Sequence, residues 1–238
     1  MAVLLGQSGV ACVLVARRGD RLQEIADRYS NFEVLEADLT TDAGCAKVVA
    51  RIADEQRPID LVVNNAGFGS SGWFHEIESA RLDDEIALNI RALTRVSRAA
   101  IEVMVGRKRG WLMNVSSVAS FQPAPKLAVY AATKAYVNSF SDGLRMELRD
   151  TGITVTAVLP GPVETEFGRV ASRGTGEPEW SSPDELLVSV EEVVRQALVA
   201  VAADKARVIP GWKVALFMGL AVALPLGVLR AILQRQVR

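Results

Sequence analysis

The 238-residue sequence contains very little histidine and cysteine, with one His and two Cys in total. Cys12 lies in an apolar, strand-like run and Cys45 in a helix-like segment, so their spacing fits neither a CxxC metal site nor a disulfide framework. His75 has no second metal-binding side chain at useful spacing. We therefore expect no metal, and a reducing, cytoplasmic setting.

The chain also lacks an excess of charge of either sign. Lys and Arg number 27 against 28 Asp and Glu, and no polybasic block occurs outside the pair Arg17-Arg18. Without a net positive field, nucleic acid is not an expected partner. A secretory signal peptide is not expected either, because no Lys or Arg precedes the first apolar run.

No uncharged run is long enough for a confident membrane span. The run considered for a span, residues 214–229, has sixteen residues and includes Gly219, Pro225 and Gly227, whereas a spanning helix needs about 20 apolar residues. Basic residues flank it: Lys213, Arg230, Arg235 and Arg238. Two interpretations of this tail, residues 208–238, stay open. It packs on its own domain or a partner subunit, or it lies peripherally on a membrane.

Apolar runs and helix-length segments alternate along residues 1–207. The runs are Val10–Ala16, Phe32–Glu36, Ile59–Val63, Trp111–Val115, Ile153–Leu159 and Arg207–Ile209. The intervening helices are predicted at about Asp20–Tyr29, Ala43–Gln56, Ala80–Val105, Val129–Asp150 and Val190–Asp204. Continuous apolar runs are typical of strands buried on both faces of a parallel sheet. The pattern predicts one doubly wound α/β domain with helices on both faces of the sheet.

Polar motifs follow three of the predicted strands. "NNAG" begins at Asn64, "NVSS" ends at Ser117, and "PGPVET" covers residues 160–165. All three lie at the carboxyl ends of parallel strands, where open α/β sheets bind ligands. We expect them to meet at one edge of the sheet.

The segment "YAATK" places Tyr130 and Lys134 on one face of a helix, near its N-terminal end. Taken alone, this pair is better explained by two side chains on a solvated helix face than by a proton-transfer centre. Taken together, Ser117 thirteen residues before Tyr130, Lys134 four residues after it, Asn89 in the preceding long helix, and "NNAG" and "PG" in order form a specific set.

With this set, the sequence resembles the short-chain dehydrogenase/reductase family over nearly the whole chain. The resemblance implies a Rossmann-like, three-layer fold and a carbonyl–alcohol conversion by hydride transfer. It assigns Tyr130 as the acid/base, Ser117 as support for the carbonyl oxygen, Lys134 as the group that lowers the tyrosine pKa and binds the nicotinamide ribose, and Asn89 as a proton relay. The chemistry asks for such groups, because a carbonyl that accepts hydride needs a proton donor and a second donor to its oxygen.

The resemblance also implies a nicotinamide cofactor. After the strand "VACVLVA", Arg17 and Arg18 stand where an acid would select NAD, so we expect NADP, with NAD less favoured. The other expected cofactor contacts, besides Tyr130 and Lys134, are Asp38, Asn64, Ala66, Gly67, Pro160, Gly161, Val163 and Thr165. For the arginines a solvated strand end, and for Asp38 a turn aspartate, are the alternative interpretations.

One family feature is missing. Members begin with a strand and a glycine-rich turn that holds the pyrophosphate, whereas this sequence opens with "MAVLLGQSG", which is interpreted as the last turns of the helix that follows them. The family's strand order, 3-2-1-4-5-6-7, makes the absent strand central. Its loss leaves the two neighbouring strands about 10 Å apart, so we expect either that the sheet closes up or that the chain is less stable than its relatives. We also expect the chain to be a natural truncation or to start too far downstream.

Two functions follow as expectations. The first is an NADP-dependent oxidoreductase for an apolar carbonyl or alcohol, with residues 170–189 and 68–77 as substrate walls, acting as a homo-oligomer. The second is a catalytically impaired, truncated relative that acts as a dimerising or membrane-associated interaction protein.

Overall fold

The computed structural model describes residues 1–173, 186–225 and 227–230. Within them, six parallel strands alternate with helices. The strands are β1 (Cys12–Ala16), β2 (Phe32–Glu36), β3 (Leu61–Asn64), β4 (Gly110–Val115), β5 (Ile153–Val158) and β6 (Arg207–Val208). The helices are α1 (Ala2–Gln7), α2 (Gly19–Ala26), α3 (Asp42–Ile52), α4 (Ser79–Ile86), α5 (Leu93–Arg107), α6 (Ala128–Glu147), α7 (Phe167–Ala171), α8 (Val190–Ala202) and α9 (Trp212–Ala223).

The strands form two separate parallel sheets. One contains β1 and β2, and the other has the order β3-β4-β5-β6. Placed side by side, they give the order 2-1-gap-3-4-5-6, which is the predicted Rossmann-like sheet without its first strand. The predicted strands and long helices are all found, with bounds that differ by a few residues. Buried strands such as β5, whose residues after Thr154 are all buried, explain why the apolar runs were continuous.

An apolar cavity of about 390 Å³ occupies the gap between β1 and β3. Its lining includes Val13 and Val15 from β1, Val62 from β3, and Val96 from α5. The sheet has therefore not closed up, and the lower stability expected in that case stays a prediction.

The apolar tail folds back onto the domain. Val214, Met218 and Ala221 of α9 are buried against a group of apolar residues. That group consists of Val118, Phe121, Val188 and Ile209. Within the described residues, no helix is both long and apolar enough to cross a bilayer. Arg235 and Arg238, which were expected to flank the tail, lie outside the described residues.

Candidate active site

The carboxyl ends of β3, β4 and β5 are held together by a buried amide and hydroxyl network. Asn64 pairs in register with Asn114, and its side-chain amide donates to Asn114 Oδ1 at 2.9 Å and to Ser97 Oγ at 2.9 Å. Asn114 in turn donates to Ser141 Oγ at 2.9 Å. Three of the four side chains are essentially inaccessible: Ser97, Asn114 and Ser141. The predicted cofactor contact Asn64 thus uses its side chain to fix the strand ends, which leaves its backbone to face a ligand.

Ser117 and Tyr130 meet at this edge. Ser117 caps the short 3₁₀ helix of residues 118–121, accepting from the backbone N–H of Ala119 at 3.2 Å. Tyr130 lies in the first turn of α6, close enough to Ser117 for that side chain to lower the pKa of the phenol. Phe167 of α7 packs against the tyrosine ring at a centroid distance of 5.0 Å. The expected pairing of the two hydroxyls is present.

Lys134 lies one helical turn further along α6, and its side chain is 5 % exposed. Its Nζ donates to the carbonyl of Val115 at the end of β4 at 2.8 Å and lies 5.7 Å from the centroid of the Tyr130 ring. The hydroxyl of Ser116 also anchors the helix here, donating to the Lys134 carbonyl at 2.8 Å. The ammonium is therefore fixed beside the ring.

Asn89 lies in a π-helical segment, Ala87–Ala92, between α4 and α5. Its amide Nδ2 donates to the carbonyl of Phe68 at 2.8 Å and to Thr133 Oγ1 at 3.0 Å, and its Oδ1 accepts from the Phe68 N–H at 3.2 Å. The side chain clamps the backbone of the loop after β3 to α6. Single π-helical turns within α-helices are frequent at functional sites.

The same loop passes closely over the candidate site. A Cβ on Gly67 would lie 3.0 Å from Asn89 Oδ1 and 3.3 Å from Lys134 Nζ, and one on Gly69 would lie 3.0 Å from the Tyr130 ring. Only glycine allows so close an approach without displacing these side chains. Gly67 thus brings "NNAG" into contact with Asn89 and Lys134.

The pKa values of Tyr130 and Lys134 differ from those expected from the sequence. Burial raises the pKa of Tyr130 to about 12, although the hydrogen bond from Ser117 acts in the opposite direction. Burial also lowers the pKa of Lys134 to about 8. The expected lowering of the tyrosine pKa by the lysine is therefore not found: both groups are withdrawn from water, and burial disfavours the charged form of each.

Arg17, Arg18 and Asp38 lie at the carboxyl ends of β1 and β2. Arg18 is paired with the Glu166 carboxylate at 3.6 Å, and both side chains are about half exposed. Burial would raise the pKa of Asp38, but hydrogen bonds from Thr40 and the charge of Arg17 hold it below its usual value. Asp38 accepts from the Thr40 backbone and hydroxyl at 2.9 and 2.8 Å, so the turn-aspartate interpretation describes its present contacts.

The loop after β5 carries four of the predicted contacts. The carbonyl of Pro160 accepts from Val118 at 3.0 Å, which joins this loop to the one that carries Ser117. A Cβ on Gly161 would lie 2.7 Å from Val214 of α9, so the tail helix packs directly against the loop. Thr165 accepts from the N–H of Phe167 at 3.2 Å and begins α7. Val163 is partly buried beside them, and Ala66 lines the cavity between the sheets.

A buried polar cluster next to the site was missed from the sequence. Glu85 of α4 is inaccessible to solvent, and Ser70 is 2 % exposed. Arg81 donates through Nη2 to the carbonyls of Gly69 and Val170 at 3.1 and 2.6 Å. The signal that would have found Glu85 is its position four residues before Asn89, on the same helix face.

The remaining predictions concern His75, metal binding and the substrate wall. His75 is exposed and 3.7 Å from the Glu76 carboxylate. Across the described residues, no group of three His, Cys, Asp or Glu side chains could hold a metal ion. Of the predicted substrate wall at residues 170–189, residues 174–185 lie outside the described residues.

Comparisons with known proteins agree with this geometry. A family model described as short chain dehydrogenase matches residues 1–175. An uncharacterized oxidoreductase of Staphylococcus epidermidis is 34% identical over 166 residues, which is 69% of this chain and 72% of that protein.

Solved structures are similar over most of the fold. A short-chain dehydrogenase from Sphingobium yanoikuyae in complex with NADPH is 34% identical with a TM-score of 0.82, over 94% of this chain and 90% of that one. A bulky-bulky ketone specific alcohol dehydrogenase from Comamonas testosteroni is 30% identical with a TM-score of 0.77, over 94% and 88% of the two chains. With the Rossmann-like strand order and the meeting of Ser117 with Tyr130, these matches place the chain in the short-chain dehydrogenase family of NAD(P)-dependent oxidoreductases.

Proposed function

We propose that the protein is an NADP-dependent oxidoreductase that interconverts a carbonyl and an alcohol, with Tyr130 as the proton donor and acceptor. The observation that carries the proposal is the approach of the Ser117 side chain to the Tyr130 phenol, with Lys134 Nζ 5.7 Å from the centroid of the tyrosine ring. Two hydroxyl donors at one point suit a carbonyl oxygen that gains negative charge.

The chain's own residues divide the work of the reaction. Bound NADPH would supply the hydride. Tyr130 gives its phenolic proton to the carbonyl oxygen in reduction, and takes a proton from the alcohol in the reverse direction. Ser117 donates a hydrogen bond to the same oxygen. The high pKa of Tyr130, about 12, keeps the phenol protonated at neutral pH, which favours reduction. Asn89 and the loop that it clamps hold the lysine and tyrosine in place.

The described residues include groups that would hold the adenosine end and the nicotinamide-ribose end of NADP, but they do not include a turn that would hold its pyrophosphate. At one end, the charge of Arg17 acts on Asp38 and Arg18 pairs with the Glu166 carboxylate, and these two guanidinium groups are the ones that would meet a 2′-phosphate. At the other, Lys134 and the loop of Gly67 lie beside the tyrosine. Between them, the described residues contain no glycine-rich turn for the pyrophosphate, and a cavity of about 390 Å³ separates β1 from β3. Arg17, Arg18, Asp38 and Lys134 would hold the adenosine and ribose ends.

An apolar ketone or aldehyde is the proposed substrate class. Phe167 of α7 packs on the Tyr130 ring, and the segment after β3 carries Phe68, Trp73 and Phe74, of which Trp73 and Phe74 are exposed at 39% and 64%. The similarity to an alcohol dehydrogenase specific for bulky ketones supports the same class. The test is a hydride-transfer assay in which NADPH absorbance is followed with a panel of aromatic and aliphatic ketones and aldehydes. Consumption of NADPH that requires the carbonyl supports the proposal, and none across the panel contradicts it.

Cofactor selection is tested at Arg18. Replacing Arg18 by Ala removes a charge-assisted contact to a 2′-phosphate, so we expect the dissociation constant of NADPH to rise by about 10-fold to 100-fold. The affinity for NADH should not change, because NADH lacks that phosphate. Calorimetric titration of both cofactors measures this. Arg21→Ala is the matched control, since Arg21 pairs with the same Glu166 carboxylate at 3.8 Å, and an equal loss in both variants would contradict the assignment.

The split sheet favours a second candidate function, a non-catalytic interaction protein that dimerises through its long helices. Large apolar side chains are exposed on these helices: Ile86 at 44%, Val105 at 40% and Met146 at 69%. Both candidate functions include a homo-oligomer, so the oligomeric state alone does not distinguish them. The affinity for NADPH does. A micromolar or tighter dissociation constant for the purified chain favours the enzyme. Undetectable binding together with a stable dimer in sedimentation favours the interaction protein.

Peripheral membrane contact through α9 is a further part of the proposal, for a protein that otherwise acts in the cytoplasm. The face of α9 opposite its buried side exposes Trp212, Leu216 and Leu220 at 74%, 58% and 65%. An apolar face with basic flanks is typical of helices that lie on anionic bilayers. We expect the chain to sediment with vesicles rich in phosphatidylserine at low salt and Leu216→Glu to abolish this. A wild-type chain that stays in the supernatant would contradict the contact.

A further inference from the structure

Glu85 is buried without the partners that a buried carboxylate needs. The side chain is 0% exposed, and neither carboxylate oxygen forms a hydrogen bond of good geometry within the described residues. The Nε of Arg81 and the hydroxyl of Ser70 are likewise buried without such a bond. A buried charge without well-aligned hydrogen bonds is costly, so this arrangement calls for an explanation beyond folding.

The surroundings of Glu85 connect it to the candidate active site. Helix α4, which carries Glu85, packs directly on α6, which carries Tyr130 and Lys134. The charge of Glu85 raises the pKa of both residues. The only other charged or titratable group that acts on Glu85 in the described part of the chain is Arg81, on its own helix, and Ser70 lies beside it in the loop after β3.

Lys134 needs such a counter-charge. Its one hydrogen bond from Nζ is to a neutral carbonyl, that of Val115, and burial lowers its pKa to about 8. Glu85 acts against this shift. In the other direction, burial raises the pKa of Glu85 to about 7, while Ser70, Arg81 and Lys134 oppose that rise. The two buried groups therefore favour each other's charged form in a region of low dielectric.

We propose that Glu85 is a positioning residue of the active site, whose carboxylate keeps the buried Lys134 ammonium charged beside Tyr130. This deepens the proposed function and rests on it for its catalytic consequence. The electrostatic coupling itself does not need turnover, so it can be measured on the chain without a substrate.

The deciding experiment is a double-mutant cycle of Glu85→Gln and Lys134→Met, in which the stability of each variant is measured by urea unfolding at pH 5.5 and at pH 7.5. At pH 5.5 the Glu85 carboxyl is protonated, because this pH lies below its pKa of about 7, and it resembles the amide of the variant. At pH 7.5 it is mostly charged. At pH 7.5 we expect Lys134→Met to lower the urea midpoint by about 0.5 M more in the chain with Glu85 than in the Glu85→Gln chain. At pH 5.5 we expect Lys134→Met to lower the midpoint by the same amount in both chains. Equal effects at both pH values would overturn the proposal.

The catalytic consequence appears in the pH profile of carbonyl reduction. Glu85→Gln should match the wild-type kcat/KM below pH 6, and its alkaline decline, set by loss of the Lys134 proton, should begin about one pH unit lower. Glu102→Gln, a substitution of an exposed glutamate on α5, should leave the profile unchanged. A Glu85→Gln profile parallel to the wild type would show a merely structural role and would also overturn the proposal. A wild-type chain without turnover counts against the proposed function alone, since the unfolding cycle still decides the coupling.

Discussion

Tyr130→Phe is expected to lower kcat for carbonyl reduction by about 10³-fold, while the dissociation constant of NADPH stays within about twofold of wild type. The substitution removes only the hydroxyl. The ring that packs against Phe167 at 5.0 Å is kept, so the wall of the site keeps its shape. What is lost is the proton donor and its hydrogen bond to Ser117. Steady-state kinetics with a reactive ketone, together with calorimetric titration of NADPH, measures both quantities.

Tyr136→Phe is the matched control for this experiment. Tyr136 lies on the same helix, stacks on Phe140 with a centroid distance of 5.5 Å, and shares a hydrogen bond of 2.8 Å with Thr94. Its loss costs about 1 kcal/mol of unfolding free energy and leaves kcat unchanged, because its hydroxyl is directed to α5. If Tyr130→Phe keeps more than a tenth of the wild-type kcat, another group supplies the proton and the assignment of Tyr130 fails.

The parts of the fold that the sequence predicts are those in which local pattern and burial agree. Parallel strands covered on both faces carry few polar and no charged residues, so β1 and β5 are recognisable as mainly apolar runs. The polar residues after them mark the carboxyl edge of the sheet, which is why Ser117 and Tyr130 could be placed together before any contact was known. Here the sequence motif and the sheet topology predict the same location for these residues.

The missed features depend on contacts that no local pattern encodes. The π-helical segment of residues 87–92 replaces what looks like an uninterrupted α-helix, and it turns Asn89 toward the backbone of Phe68. Glu85 is an ordinary residue by helix propensity, and only the packing of α4 on α6 makes it a buried charge. The pKa of Tyr130 likewise depends on how much water the fold excludes, and the four-residue spacing to Lys134 contains no information about that.

Because the sheet is split, the loops and helices around β1 and β2 help to hold the carboxyl ends of these strands in place. The close contact between Gly44 and the turn that follows β2 is one of these supports. Gly44 lies in the first turn of α3, where its N–H donates to the capping Thr41 hydroxyl at 3.0 Å. A Cβ there would lie 1.9 Å from the carbonyl oxygen of Asp38 and 2.5 Å from its carbonyl carbon. These are backbone atoms, so no side-chain rotation relieves the clash.

Gly44→Ala is therefore expected to destabilise the fold by about 3 kcal/mol, at the upper end of overpacking costs, and to displace Asp38, the proposed contact for the adenosine end of the cofactor. Urea unfolding measures the first effect and NADPH titration the second. Gly143→Ala is the control, because a Cβ at that position of α6 meets nothing within 4 Å, and the gain in helix propensity should stabilise the protein by about 1 kcal/mol. A Gly44→Ala variant as stable as wild type would mean that the Asp38 turn shifts freely, and Asp38 could then not serve as a fixed contact for the adenine.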